Sequence, residues 1–147
     1  MGKDLTKSTG LKKLPIGIQT FRSIIEEDYL YIDKTEEVYE LVTRFKYVFL
    51  SRPRRFGKSL FMDTLQNVFE GNKEFFKGLY IYDKWDFSQK YPVIKIDFSG
   101  DFSSVEVSKE RIIYILDRNK ERLGLDLDFL GSPSSFFESL IQEAYKK

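Results

Sequence analysis

The sequence predicts an α/β layered fold with a mostly parallel sheet. Three observations carry this expectation. Short apolar, β-prone runs alternate with stretches whose apolar residues recur at helical spacing. The two best runs, residues 48–50 and 93–98, flank a helix and leave room for the crossover that parallel strands need. Between them lies Tyr47-Val48-Phe49-Leu50-Ser51-Arg52-Pro53-Arg54-Arg55-Phe56-Gly57-Lys58-Ser59-Leu60, which reads as an apolar strand, a short basic loop and a helix opened by Gly-Lys-Ser.

Taken in order, residues 1–13 are Lys-rich and polar and read as a flexible lead-in. Leu14-Pro15-Ile16-Gly17-Ile18 is punctuated by Pro and Gly and suits an extended segment or turn. Phe21, Ile24 and Ile25 have helical spacing, and Tyr29-Leu30-Tyr31-Ile32 is a short β-prone run. Asp33 then caps a helix, with Glu36 placed to reach back, and Val38, Leu41, Val42 and Phe45 line one face. The helix after Lys58 carries Leu60, Phe61, Leu65, Val68 and Phe69 and stops at Gly71-Asn72. Residues 73–78 read as a short helix and 79–82 as a brief strand. Ser103 with Glu106 is a capping box for a helix running to about Leu123, with Gly124 as its stop. Ser132-Pro133 opens a last helix whose face is Phe136, Phe137, Leu140, Ile141 and Ala144.

Composition narrows the chemistry. The chain has 147 residues, enough for one domain or a piece of a larger one, and it is 41% apolar and 32% charged, as folded domains are. Its 24 basic and 23 acidic residues leave a net charge of +1, so any basic site must be local. There is no cysteine and no histidine, which excludes disulfides, thiol nucleophiles, Ser-His-Asp triads and the usual zinc ligands. Carboxylates, Lys, Arg, hydroxyls and backbone amides remain. Nucleotide phosphate chemistry suits that palette, because it depends on positioning and charge neutralisation. No long apolar run and no hydrophobic leader is visible, so the expectation is a cytoplasmic protein without a membrane partner.

The Gly-Lys-Ser loop is the candidate site. A phosphate loop uses a glycine to let the backbone approach, amides at a helix start to hold phosphate oxygens, a lysine for the terminal phosphates and a hydroxyl for Mg²⁺. Gly57, Lys58 and Ser59 supply those types in order, and Arg54, Arg55, Phe56 and Leu60 complete the segment. Ser59 is the expected metal contact. The usual pattern also wants glycine where Arg52 stands; a left-handed backbone there would strain an arginine, and Pro53 biases Arg52 to extended conformations. Asp97 ends an apolar run, where a Mg²⁺-binding carboxylate would stand, but no second acid follows it, and capping of the next turn is the preferred reading.

The segment Arg52-Pro53-Arg54-Arg55-Phe56-Gly57-Lys58-Ser59-Leu60 strongly resembles the AAA-ATPase-like family of bacterial and archaeal proteins. So do Leu14-Pro15-Ile16-Gly17 with Phe21 and Tyr31-Ile32-Asp33-Lys34-Thr35, and Tyr91-Pro92-Val93-Ile94 with Asp97-Phe98-Ser99, in the same order. The resemblance runs from about Leu14 onward. It implies a P-loop NTPase-like three-layer arrangement with a partial, mostly parallel sheet, ATP and Mg²⁺ as cofactors, and the arginine at position 52 as a family trait. It also implies an acidic Walker B strand and, in many members, a C-terminal nuclease-like domain that would supply nucleic acid as a partner. Neither is found in this chain; Asp126 and Asp128 do not match the acidic strand. Residues 14–147 are therefore expected to be the N-terminal portion of such a domain, binding ATP with little hydrolysis. The alternative is a non-enzymatic module that uses the arginine loop to bind nucleic acid or a partner protein, and a third reading is a remnant that folds poorly.

Overall fold

The computed structural model describes residues 11–129 and 131–147. Most of the expected lead-in, residues 1–10, lies outside the described residues. Of its remainder, Lys13 forms a parallel bridge with Tyr29, and the Leu30 N–H donates to the Lys13 carbonyl at 2.8 Å. The chain divides into two compact units, the first ending at Lys90 and the second Tyr91–Lys147.

The first unit is built from α1 (Phe21–Glu26), α2 (Thr35–Arg44) and α3 (Lys58–Phe69), followed by 3₁₀ turns at Lys73–Phe76 and Tyr80–Asp83. Phe21, Val38, Val68, Phe76, Ile81 and Phe87 form its buried core. The rings are in contact, with Phe21 and Phe76 centroids 4.8 Å apart, Phe76 and Phe87 5.3 Å, and Phe21 and Tyr31 5.1 Å. Polar side chains tie the elements together. Asp63 on α3 accepts from the Phe21 N–H at 2.7 Å, capping the start of α1. Asp33 accepts from the Thr35 N–H and hydroxyl through one oxygen and from the Tyr80 N–H, at 2.8 Å, through the other. The fully buried Thr35 hydroxyl in turn accepts from the Ile81 N–H at 3.2 Å. α3 ends where Gly71 takes φ 76°; the Gly71 N–H donates to Val68 and the Asn72 N–H to Asn67, which satisfies carbonyls that the helix end would leave open.

The second unit is α4 (Val105–Leu123) and α5 (Pro133–Tyr145) around Leu116, Phe136 and Leu140. Ser104, one residue beyond the expected Ser103, accepts from the Val107 N–H and caps α4, while the Ser103 N–H donates to Asp101. Gly124 ends α4 at φ 59° and Ser132 caps α5, both as expected.

The expected α/β, P-loop NTPase-like three-layer arrangement is overturned. Among the described residues the fold is helical and no strand forms; the Lys13–Tyr29 bridge stands alone. A strand exists only where a neighbour lies about 4.8 Å away to complete its ladder, so β-prone composition is not sufficient. Residues 47–51 show this directly: Tyr47 is 83% exposed and Phe49 91%, and no neighbour pairs with them. At 79–82 the N–H groups of Tyr80 and Ile81 are taken by Asp33 and Thr35, and the segment tightens into a 3₁₀ turn. At 93–98 a side chain replaces the neighbouring strand. Asn119 donates to the Lys95 carbonyl and accepts from the Lys95 N–H, both at 2.8 Å, and Arg122 donates to the Val93 carbonyl.

Two predictions follow from these bonds. Thr35→Val keeps the shape of the side chain but leaves the Ile81 N–H without its acceptor, and is expected to lower stability by about 1–3 kcal/mol. Urea unfolding followed through Trp85, the chain's single tryptophan and a residue of the first unit, measures this. Asn119→Leu removes the amide that brackets Lys95; amide hydrogen exchange at Lys95 is expected to accelerate at least tenfold, while exchange in the first unit stays as it was.

Candidate functional site

The loop before α3 is exposed, while the helix it opens is anchored. Thr64, Asn67 and Val68 are buried, and Leu60, Phe61 and Leu65 pack against the core of the first unit. The Asp63 bond to α1 and the Asn67 bond to Asn72 hold the same helix along its length. The loop thus projects from a fixed base.

The backbone of the loop turns at Arg55, with φ 68°, and at Gly57, with φ 73° and ψ 17°. Arg52 is not one of the left-handed residues. The strain that the sequence assigns to position 52 therefore falls on Arg55, at a cost of about 1–2 kcal/mol. A Cβ added at Gly57 would meet nothing within 4 Å, so glycine is favoured there by its backbone angle and not by crowding.

The helix ladder begins where the Phe61 N–H donates to the Gly57 carbonyl at 2.9 Å. No side chain caps the start of α3. The first-turn amides of Lys58, Ser59 and Leu60 have no intrahelical acceptor, and they lie at the positive end of the helix dipole. Arg54, Arg55, Phe56 and Ser59 are exposed around them, and Leu60 and Lys58 are half-buried. The Lys58 ammonium folds back over the loop and donates to the Arg52 carbonyl at 2.5 Å. Among the described residues Arg52, Arg54 and Arg55 make no ion pair with a carboxylate. The predicted residues Arg54 to Leu60 are thus one contiguous surface carrying several cations, three first-turn amides and the Ser59 hydroxyl.

These groups fit a polyphosphate: the charge is of one sign and the amides lack a cap. They fit Mg²⁺ only in part. Among the described residues no cluster of three or more acidic side chains could hold a metal ion, so a magnesium ion here would depend on the Ser59 hydroxyl and on oxygens that the phosphates bring. Asp97 lies in the second unit and caps a turn, accepting from the Ser99 N–H at 2.8 Å. Its carboxyl is held below the ordinary range first by that bond and the Ser99 hydroxyl, then by Arg111 and Lys95. That is the capping role preferred from the sequence.

One feature was not visible in the sequence as part of a site. A cleft of about 310 Å³ opens beside the loop, where Phe56, Gly57 and Leu60 face Leu14, Leu30 and Tyr31. The sequence signal for it was the apolar, Pro/Gly-punctuated run at 14–18 and the apolar run at 29–32, read there as extended segments. Burial raises the Tyr31 hydroxyl above its ordinary pKa, against the lowering effect of its hydrogen bond with Thr64.

Among the described residues no helix is long and apolar enough to cross a membrane. The chain is 44% identical over 136 residues to an uncharacterized protein in the vnfD 5′ region of Azotobacter chroococcum mcd 1. That match covers 91% of the chain and 26% of the relative, so the chain spans about a quarter of the length of the curated relative it matches. No solved structure matches. The model of the family described as Predicted AAA-ATPase matches residues 15–147, and the chain belongs to that family.

Proposed function

We propose that residues Arg54 to Leu60 bind the phosphates of ATP together with Mg²⁺. The observation that carries this reading is the uncapped start of α3 beneath a loop whose arginines have no carboxylate partner among the described residues. Family membership supports it. In this reading the amides of Lys58, Ser59 and Leu60 donate to phosphate oxygens, and the Lys58 ammonium exchanges the Arg52 carbonyl for the β- or γ-phosphate. Arg54 and Arg55 neutralise charge at the rim, and the Ser59 hydroxyl contacts Mg²⁺. Because the described residues hold no acidic cluster for a metal ion, the reading assigns this segment nucleotide binding with little hydrolysis by itself. ATP hydrolysis, a cytoplasmic location and a nucleic-acid partner reached through a linked nuclease-like domain are proposals for the longer protein.

Lys58→Ala is expected to weaken Mg–ATP binding at least tenfold in titration calorimetry, and an unchanged affinity would remove the site from this loop. Arg55→Gly separates the charge of the loop from its conformation. Glycine adopts φ 68° freely, so stability should hold or rise by up to about 1 kcal/mol, while Mg–ATP affinity falls several-fold. Oligonucleotide binding that is salt-sensitive, lost in the Arg54→Ala/Arg55→Ala variant and indifferent to ATP would instead assign the loop to nucleic acid.

A further inference from the structure

We infer that the second unit binds single-stranded nucleic acid in a basic cleft between α4 and residues 93–99; the inference is independent of the phosphate reading above. The cations come from one face of a helix. Arg111, Arg118 and Arg122 follow one another at seven and four residues, which places them within about 40° of each other around α4. Glu106, Glu110 and Asp117 fall to one side of that face, so a helix of nearly balanced charge presents a basic stripe. The stripe and Lys95 line a cleft of about 500 Å³.

The stripe is oriented before any ligand arrives. Arg111 donates to the Ser99 carbonyl at 3.0 Å and Arg122 donates to the Val93 carbonyl, so arginines clasp both ends of the run. Asn119 brackets Lys95 between them. Arg111 lies against Gly100, where a Cβ would stand 3.3 Å from its Nε, and that Nε is buried without a hydrogen-bond partner. A carbonyl fixes a guanidinium without cancelling its charge, and a side chain already fixed loses less entropy on binding. The two carboxylates at the cleft are engaged. Asp97 accepts from the Ser99 N–H at 2.8 Å, and Glu121 meets Arg118 at 3.5 Å in an exposed pair that an anion can displace at small cost.

Length and shape select the ligand. From Arg111 to Arg122 is about 16 Å along the helix axis. A single phosphate cannot meet both, whereas a stacked strand with a phosphate about every 3.4 Å covers the distance in about five nucleotides. Tyr114 lines the same cleft, is 55% exposed and has the Arg111 guanidinium 5.4 Å from its ring centroid. A ring among arginines offers an unpaired base a stacking platform. A duplex keeps its bases inside and an acidic peptide has none, so both would leave the ring unused.

Fluorescence anisotropy of a labelled oligothymidylate about 12 nucleotides long, titrated with the full chain over a salt series, tests the cleft. Wild type is expected to bind at low salt. Arg118→Gln is expected to weaken binding at least threefold and to lower the slope of log K against log salt by about 0.7. Tyr114→Ala is expected to weaken binding at least fivefold with the slope unchanged, and Glu121→Gln to tighten it about twofold. All three side chains are exposed, and unchanged circular dichroism checks the fold. Absence of wild-type binding, affinity that none of these variants changes, or loss of binding in the Arg54→Ala/Arg55→Ala variant alone would overturn the cleft. So would polyglutamate or a duplex of the same length that binds as tightly as the single strand.

Discussion

The Asp33 carboxylate is the joint on which the first unit turns. One oxygen accepts twice from Thr35, at the first residue of α2, and the other accepts from the Tyr80 N–H, 47 residues later. Thr35, wholly buried, extends the joint by accepting from the Ile81 N–H. Hydrogen bonds to a charged acceptor contribute about 1.5–3 kcal/mol each, so this small cluster outweighs any surface ion pair in the unit. It fixes α2 against the Tyr80–Asp83 turn, and the buried Ile81 and Val38 that come with them join Phe76, Phe21 and Val68 in one core. Val68 and the Asp63 bond to Phe21 place α3 on that core. The position of the candidate loop, which opens α3, descends from this chain of contacts.

Helices were legible in the sequence because their signals are local. Gly71-Asn72, Gly124 and Ser132-Pro133 mark termini within a few residues of the bonds that they make. The α4 cap fell one residue late because Ser103 and Ser104 are chemically alike, and the choice was made by Asp101, which takes the Ser103 N–H. Asp33 was legible by half. Its bond to Thr35 spans two residues, whereas its bond to Tyr80 depends on a fold that no short window contains. The strand expectations failed for the same physical reason. A strand is a relation between two segments, and the polar side chains that met residues 80–81 and 95 lie far away in sequence, so β-branched and aromatic composition alone predicted a sheet that does not form among the described residues.

The loop shows a similar division between residue type and placement. Gly57, Lys58 and Ser59 carry the phosphate-loop expectation by their identity and order alone. Which residue bears the backbone strain does not follow from them, since φ at each position reflects how the loop leaves residues 47–51 and enters α3. The left-handed conformation at Arg55 instead of Arg52 removes the steric objection raised by the absent glycine and moves the cost one turn closer to the helix. Residues held in such conformations persist where their surroundings enforce them, and they concentrate at ligand sites. The cleft was hidden for a plainer reason: its walls come from segments near residues 14, 30 and 56, and only folding brings them together.

The bond from Lys58 to the Arg52 carbonyl bears on how such a loop would bind an anion. On a chain with net charge +1, four cations within seven residues repel one another, and folding the Lys58 ammonium onto a carbonyl gives it a neutral acceptor. The same bond draws the two ends of the loop together. In the proposed reading a phosphate would replace that neutral acceptor with an ionic one, and charge-assisted bonds are roughly twice as strong as neutral ones. The released carbonyl belongs to an exposed residue and can be solvated, so little is lost in return. Such an exchange would favour the anion, and it would require a single side chain to move while the amides of α3 stay where the core has placed them.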